Sequence, residues 1–234
     1  MNKPNPSGKP SFKKQAKPDL GVDLPEIDSD LDPWPELEGS GPGFRDGEER
    51  VRLALADGDL SGQRVKKLIL DKIKLTRVNL GASEFAALNA TDILLDTCDL
   101  ANAEWRGASF LRLKIANSRM VGFRCNEAEL TNLLVTDTSL RLAQFRFTKF
   151  ERVRFEHCDL TGADFYSADL RKAVFLDCEL TEAQFCGANL AGADIRGSRI
   201  EGLQILPEDL KGLIVEPTQA MLLATVVGLV IKYD

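Results

Sequence analysis

The chain has 234 residues, of which 44% are hydrophobic, and its formal net charge is -6. This length allows one or two ordinary domains, and the hydrophobic fraction allows most of the chain to fold. The negative balance excludes the basic footprint of a nucleic-acid-binding domain, so we predict no direct nucleic-acid partner.

The first of three segments covers residues 1–50 and holds most of the charge asymmetry. Residues 1–18 carry five Lys and no acidic residue, whereas residues 19–50 carry eleven acidic residues against two Arg. Proline-containing, charged stretches with few large apolar side chains are typical of disordered tails. We therefore predict a disordered N-terminal tail over residues 1–50. It is either purely solvated or a binding motif in which Trp34 anchors a partner's pocket.

The second segment, residues 51–206, is an uninterrupted repeat. All thirty multiples of five from 60 to 205 are uncharged, and only Ala90 and Cys125 among them are small. The residue two positions earlier is also never charged and is usually small. A helix has a period of 3.6 and a strand a period of 2, so neither element alone explains the pattern.

A strand that bends once every five residues satisfies this pattern. Residues two apart in an extended segment point the same way, so each centre and its partner can both face inward. Four bends close a square coil, and coils stacked by parallel pairing at roughly 4.8 Å give a rod about 36 Å long. Small centres have large partners, as in Leu88 with Ala90 and Phe123 with Cys125, which conserves core volume. We predict an all-β quadrilateral β-helix.

The third segment, residues 207–234, leaves the five-residue phase. Pro217 and Gly228 are typical of the start and the end of a helix. We predict a short strand at 213–215, a helix from about residue 217, and a final strand at 229–232. The helix is apolar nearly all round, so one side would cover the last coil and the other would meet a second chain. The predicted homodimer interface consists of Met221, Leu222, Leu223, Val226 and Val227.

The stretches "TGADFYSADLRKAVF" and "FCGANLAGADIRG" resemble the pentapeptide repeat family, whose consensus is roughly A-(D/N)-L/F-x-x. The resemblance implies a right-handed quadrilateral β-helix with a short C-terminal capping and dimerisation helix. In the quinolone-resistance members of that family, a two-fold dimer mimics duplex DNA. Those members bind DNA gyrase or topoisomerase IV and protect it.

Two functions remain open. The first is a non-enzymatic protein-interaction scaffold with an unidentified partner, and the second is a DNA mimic that protects or inhibits gyrase. A DNA mimic requires a markedly acidic surface, whereas residues 51–234 hold 23 basic and 25 acidic residues. Acidic residues do cluster in the last third: Asp159, Asp164, Asp169, Asp177, Glu179, Glu182 and Asp194.

Outward apolar residues are further candidates for partner contact. Leu94, Leu134 and Val174 fall in one outward column at steps of forty residues, and Leu176 lies beside Val174. An apolar column on a rigid rod is a candidate surface for contact with a protein partner. Phe147 is outward on another face and, with Trp34, completes this set.

The sequence indicates no catalytic, cofactor or metal site. His157 is the only histidine and falls at an outward bend. The sequence therefore lacks the histidines that a metal cluster or a nucleophile–His pair would need. The five cysteines form no C-x-x-C pair and are interpreted mainly as core thiols. With no signal peptide or membrane-spanning run, we predict a cytoplasmic protein with reduced thiols.

Overall fold

The computed structural model describes residues 21–35 and 43–232. These residues form a parallel β-solenoid of about seven turns with one short C-terminal α-helix, which confirms the predicted β-helix. The strands are β1 (Asp32–Pro33), β2 (Glu48–Ala56), β3 (Arg64–Val65), β4 (Leu68–Thr76), β5 (Glu84–Phe85), β6 (Leu88–Asp96), β7 (Ser109–Ala116), β8 (Glu129–Thr136), β9 (Lys149–Glu156) and β10 (Val174–Leu176).

The coils stack in the register that the repeat predicts. Eight strands form one parallel sheet in the order β1-β2-β4-β6-β7-β8-β9-β10, and β3 pairs with β5. Leu68 pairs with Leu88, and Asn89 pairs with Ser109 on the next coil, so each residue lies over the one twenty positions later. Outside these strands, single parallel bridges keep the same twenty-residue step to the end of the rod.

The inward residues fill one continuous core. Both members of the predicted pair Phe123 and Cys125 are buried, with 3% and 1% of their surfaces exposed. In the later coils, Phe165 lies between the rings of Phe145 and Phe185, at centroid distances of 5.3 Å and 5.1 Å. Stacking between successive coils therefore continues through the side chains as well as through the backbone.

The bends between faces use left-handed backbone. Glycine occupies several bends as predicted, but twenty-two other described residues at equivalent positions have φ between +49° and +61°. This conformation costs an L-residue about 1–2 kcal/mol in isolation. Here the next coil holds it in place, since the N–H of Leu142 donates to the carbonyl of Thr161 and that of Phe147 to Tyr166, both at 3.0 Å.

A 3₁₀ helix (Pro207–Leu210) and α1 (Pro217–Ala224) close the C-terminal end. The amide of Gln219 donates to the carbonyls of Ile195 and Ser198 at 2.8 Å and 2.7 Å, and so satisfies acceptors of the last coils. The predicted strand at 213–215 is reduced to one bridge between Ile214 and Asp194. The final strand predicted at 229–232 is wrong, because these residues join no sheet, and the N–H of Leu229 instead donates to the Ala224 carbonyl at the end of α1 at 3.0 Å.

The N-terminal end differs most from expectation. Residues 21–35 and 43–50 of the predicted disordered tail contact the rod, whereas residues 1–20 and 36–42 lie outside the described residues. Trp34 is only 8% exposed, and its ring meets Phe44 edge to face at 5.4 Å. The Trp34 indole therefore covers the open end of the apolar core and is not a free anchor for a partner.

Phe165→Ala should lower the free energy of unfolding by about 3–5 kcal/mol, because it removes a fully buried ring from the stack. Urea denaturation monitored by circular dichroism measures the change. The control Phe147→Ala deletes the same group at a bend where the side chain is 54% exposed, and it should cost less than about 1 kcal/mol. A loss below about 1 kcal/mol for Phe165→Ala would contradict the packed core.

Candidate interaction surfaces

Residues 21–33, here called the N-terminal strap, lie along one edge of the rod. The strap holds five acidic residues and no basic residue. Apart from Ile27, its partly buried residues recur at every third position, which is the period of an extended polyproline-type chain. These residues are Val22, Pro25, Asp28 and Leu31.

The strap follows one line of bend residues, which we call the strap column. Each lies twenty residues from the next, and each has a positive φ where the chain turns from one face to another. Three of the five are basic, which complements the acidic strap. The column consists of Arg52, Lys72, Asp92, Arg112 and Asn132.

The strap is held partly through its own backbone. The N–H of Asp23 donates to Oδ1 of Asn132 at 3.3 Å, and the N–H of Glu26 donates to Oδ1 of Asp92 at 2.8 Å. The three residue steps from Asp23 to Glu26 cross two coils, about 10 Å at the usual coil spacing. That distance requires roughly 3 Å per residue, so the strap is nearly fully extended.

Side-chain charges fix the other half of the strap. The carboxylate of Asp28 pairs with Nζ of Lys72 at 3.4 Å and also with the guanidinium of Arg52. Beyond this pair, Pro33 in β1 lies opposite Ala54 in β2, and the N–H of Trp34 donates to the Ala54 carbonyl at 2.9 Å. The strap thus ends as a short strand that extends the main sheet.

Asp92 is the most buried member of the strap column, with 2% of its surface exposed. Burial alone would raise the pKa of its carboxyl, but two hydrogen bonds from Arg112, at 2.6 Å and 2.7 Å, and one from the Glu26 N–H outweigh it. Lys72 adds an attractive charge. The net effect lowers the pKa of Asp92 below its ordinary value, so folding favours the ionised carboxylate.

Asp92→Asn should destabilise the chain by about 1.5–3 kcal/mol at pH 6 and by less at pH 3. Because the pKa is lowered on folding, the contribution of Asp92 is complete above about pH 4 and is lost as the pH falls through the folded value. Urea unfolding of the wild type and the variant at both pH values measures the difference. An equal loss at both pH values would show that the charge of Asp92 is irrelevant.

The predicted apolar column is interleaved with basic residues. Leu94 pairs with Lys74 and Lys114 on the adjacent coils, and Leu134 has Lys114 and Arg154 as its neighbours. Leu94 and Leu134 are half-buried. The aliphatic stems of long basic side chains can cover such apolar surface, so this column is a mixed stripe rather than an apolar one.

The remaining members of this set differ in exposure. Val174 is 7% exposed, and Leu176 beside it is half-buried. Both lie on β10, where Val174 pairs with Arg154 of the preceding coil. Partner contact through these two residues stays a prediction, and Val174 offers little accessible surface.

Phe147 belongs to a more exposed aromatic corner. Its ring is 54% exposed and meets Tyr166, itself 40% exposed, edge to face at 5.6 Å. Tyr166 was not singled out in the sequence, since its position in the repeat indicates only that it faces outward. Its position nineteen residues after Phe147 could have identified it. That offset places Tyr166 on the next coil, one position before the bend that lies over Phe147.

The acidic residues of the last third are mostly neutralised by arginine. These ion pairs lie near the surface, so each contributes only about 0–1 kcal/mol, but together they weaken the negative potential. Asp177 instead lies 3.9 Å from Nδ1 of His157. The arginine pairs are Asp159 with Arg141, Asp164 with Arg146, Asp169 with Arg171, Glu179 with Arg199, and Asp194 with Arg196.

The C-terminal helix has two distinct sides. Leu223 is 8% exposed and packs on the core, with Val226 partly buried against it. Leu223 therefore covers the rod, and the prediction that it contacts a second chain is wrong for its side chain. Met221 is 42% exposed, and Leu222 and Val227 are each 49% exposed, so these three still present an apolar surface.

The thiols and carboxylates offer little chemistry. Within residues 21–35 and 43–232, no group of three His, Cys, Asp or Glu side chains is arranged to hold a metal ion. Burial raises the pKa of the Cys125 thiol to about 12, which suppresses the reactive thiolate. In the described part of the chain, no helix is long and apolar enough to cross a membrane.

A protein-family model matches part of the rod. Residues 148–219 match the family model described as "Pentapeptide repeat region". No curated protein matches the sequence. A trypsin-treated variant of QnrB1, a plasmid-mediated fluoroquinolone resistance protein, is 18% identical over 81% of this chain and 100% of that chain, with a TM-score of 0.43. HetL, a pentapeptide repeat protein from a Nostoc cyanobacterium, is 18% identical over 73% and 90%, with a TM-score of 0.21.

Proposed function

This chain carries a pentapeptide repeat region over residues 148–219, and from that premise we propose that it is a non-enzymatic scaffold whose outward residues bind a protein partner. The filled interior is the observation that supports this proposal. Two cavities inside the described core each measure about 20 Å³ and are lined by apolar side chains. A small-molecule site usually needs about 300 Å³ or more, so recognition falls to the outer surface of the rod.

The aromatic corner is the part of that surface best suited to a protein partner. Exposed aromatic rings dominate many interfaces, because they bury a large area at low entropic cost. Phe147 and Tyr166 are both accessible and already fixed against each other. The rigid coils beneath them keep this pair in place before a partner arrives, which reduces the cost of binding.

Phe147→Asp should abolish capture of the partner by the full chain in an affinity pull-down, because it places a charge in the aromatic contact. The control Ala87→Asp adds the same charge at an exposed bend in the same line of bends as Phe147. It lies sixty residues earlier, three coils away from the aromatic pair. A partner retained equally by all three chains would exclude this corner. A parallel pull-down without residues 1–20 tests the contribution of the tail.

We also propose that the chain forms a homodimer through Met221, Leu222 and Val227. Their exposed apolar side chains lie on or just after α1, at the C-terminal end of the rod. Burying such a patch against a second copy would remove it from water. The five free cysteines of the described residues are consistent with our further proposal of a cytoplasmic location.

Met221→Asp should convert the dimer into a monomer, since it introduces an unpaired charge into the apolar contact. Multi-angle light scattering at micromolar concentration measures the mass. The control Thr218→Asp places the same charge in the first turn of the helix, where a negative charge is favourable. A monomeric wild-type chain at this concentration would overturn the dimer.

The alternative function is a DNA mimic that protects or inhibits DNA gyrase. The acidic cluster of the last third favours it, but the arginine partners cancel much of that charge. A supercoiling assay with gyrase, with and without a fluoroquinolone, tests this alternative directly. Unchanged supercoiling and unchanged drug sensitivity in the presence of the chain would rule it out for that enzyme.

A further inference from the structure

The strap is bound to the rod like a peptide ligand. Two backbone N–H groups of the strap, from Asp23 and Glu26, donate to the strap column. The carboxylates of Asp23, Asp28 and Asp30 also contact residues of the column. Any extended peptide has such N–H groups at the same spacing, and any acidic peptide can supply such carboxylates. The column therefore recognises a class of segment more than one particular sequence.

Much of the strap is also weakly held. Leu24 is 50% exposed, and the side chains of Asp28 and Arg52 in the main ion pair are 34% and 40% exposed. Pairs with this exposure contribute little to stability, and segments with few buried contacts open most easily. Trp34, which follows the strap, is buried and anchors that end, so the strap would stay close to the column if its middle detached.

We propose that the strap column is a binding site for an acidic, extended segment of a protein partner, and that the strap occupies this site in cis until such a segment displaces it. The proposal rests on the scaffold function and specifies the chemistry of a partner. A partner segment longer than the strap would continue onto Arg152 and Lys172, the next residues of the same line of bends. These two residues line a surface groove of about 610 Å³.

The geometry favours a peptide over a nucleic acid. Oδ1 of Asn132 and Oδ1 of Asp92 accept hydrogen bonds from backbone N–H groups of the strap. A phosphodiester backbone has no equivalent donors, and the ionised carboxylate of Asp92 would repel phosphate. An acidic peptide satisfies these two acceptors and the cations Arg52 and Lys72 together.

A fluorescein-labelled peptide with the sequence of residues 21–35, titrated into the full-length chain, tests the proposal by fluorescence anisotropy. Asp28→Lys in the chain should raise its affinity for the peptide about tenfold, because the weakened strap competes less well. The control Asp32→Lys changes the net charge equally at an exposed strap position and should bind like the wild type. Asp28→Asn serves as the second variant where the charge reversal impairs folding, as judged by circular dichroism.

A second pair of measurements separates the possible failures. Adding Lys72→Glu to the Asp28→Lys chain should remove the gain in peptide affinity. Equal peptide affinity for the wild type and both Asp28 variants would overturn the proposal, as would a gain seen only with a single-stranded oligothymidine probe. The titration needs no natural partner. Peptide binding together with a pull-down that captures no protein would therefore contradict the scaffold function while supporting the proposed site on the strap column.

Discussion

Parallel pairing between coils at a fixed step of twenty residues is the interaction on which the whole molecule depends. Each inward side chain lies above its equivalent in the preceding coil, so its size is constrained by two neighbours in the stack. This explains why Phe123 can sit beside the small Cys125, and why rings such as Phe165 and Phe185 stack at 5.1 Å. A change at one inward position is therefore felt by the coils on both sides.

The same stacking also decides what the surface can display. The N–H groups of the bends donate to carbonyls of the next coil and so hold the bends in a left-handed conformation, even where the residue is Leu142 or Phe147. Because the neighbouring coils offset the local strain, the bends are not restricted to glycine. The bends therefore display large and charged side chains on the outside of the rod. Phe147 of the aromatic corner and all residues of the strap column are bend residues.

The two ends of the rod are capped by different segments. An open coil exposes backbone groups and core side chains, which invites association with other chains. At the C-terminal end, Gln219 satisfies carbonyls and Leu223 covers the core. At the N-terminal end, Trp34 and Phe44 supply the apolar cover, and the strap that leads to Trp34 runs back along the rod. Capping and the proposed peptide site are thus parts of one segment.

The sequence by itself determined the inward residues, the twenty-residue register and the start of α1 near Pro217, because these follow from short-range periodicity and local turn chemistry. Tertiary structure alone decided the burial of Trp34, the inward side of Leu223 and the lack of strand pairing at residues 229–232. The contact between Asp23 and Asn132 joins residues 109 positions apart, outside any repeat period. Periodicity specifies which face a residue occupies, whereas its partner depends on which distant segment is packed against that face.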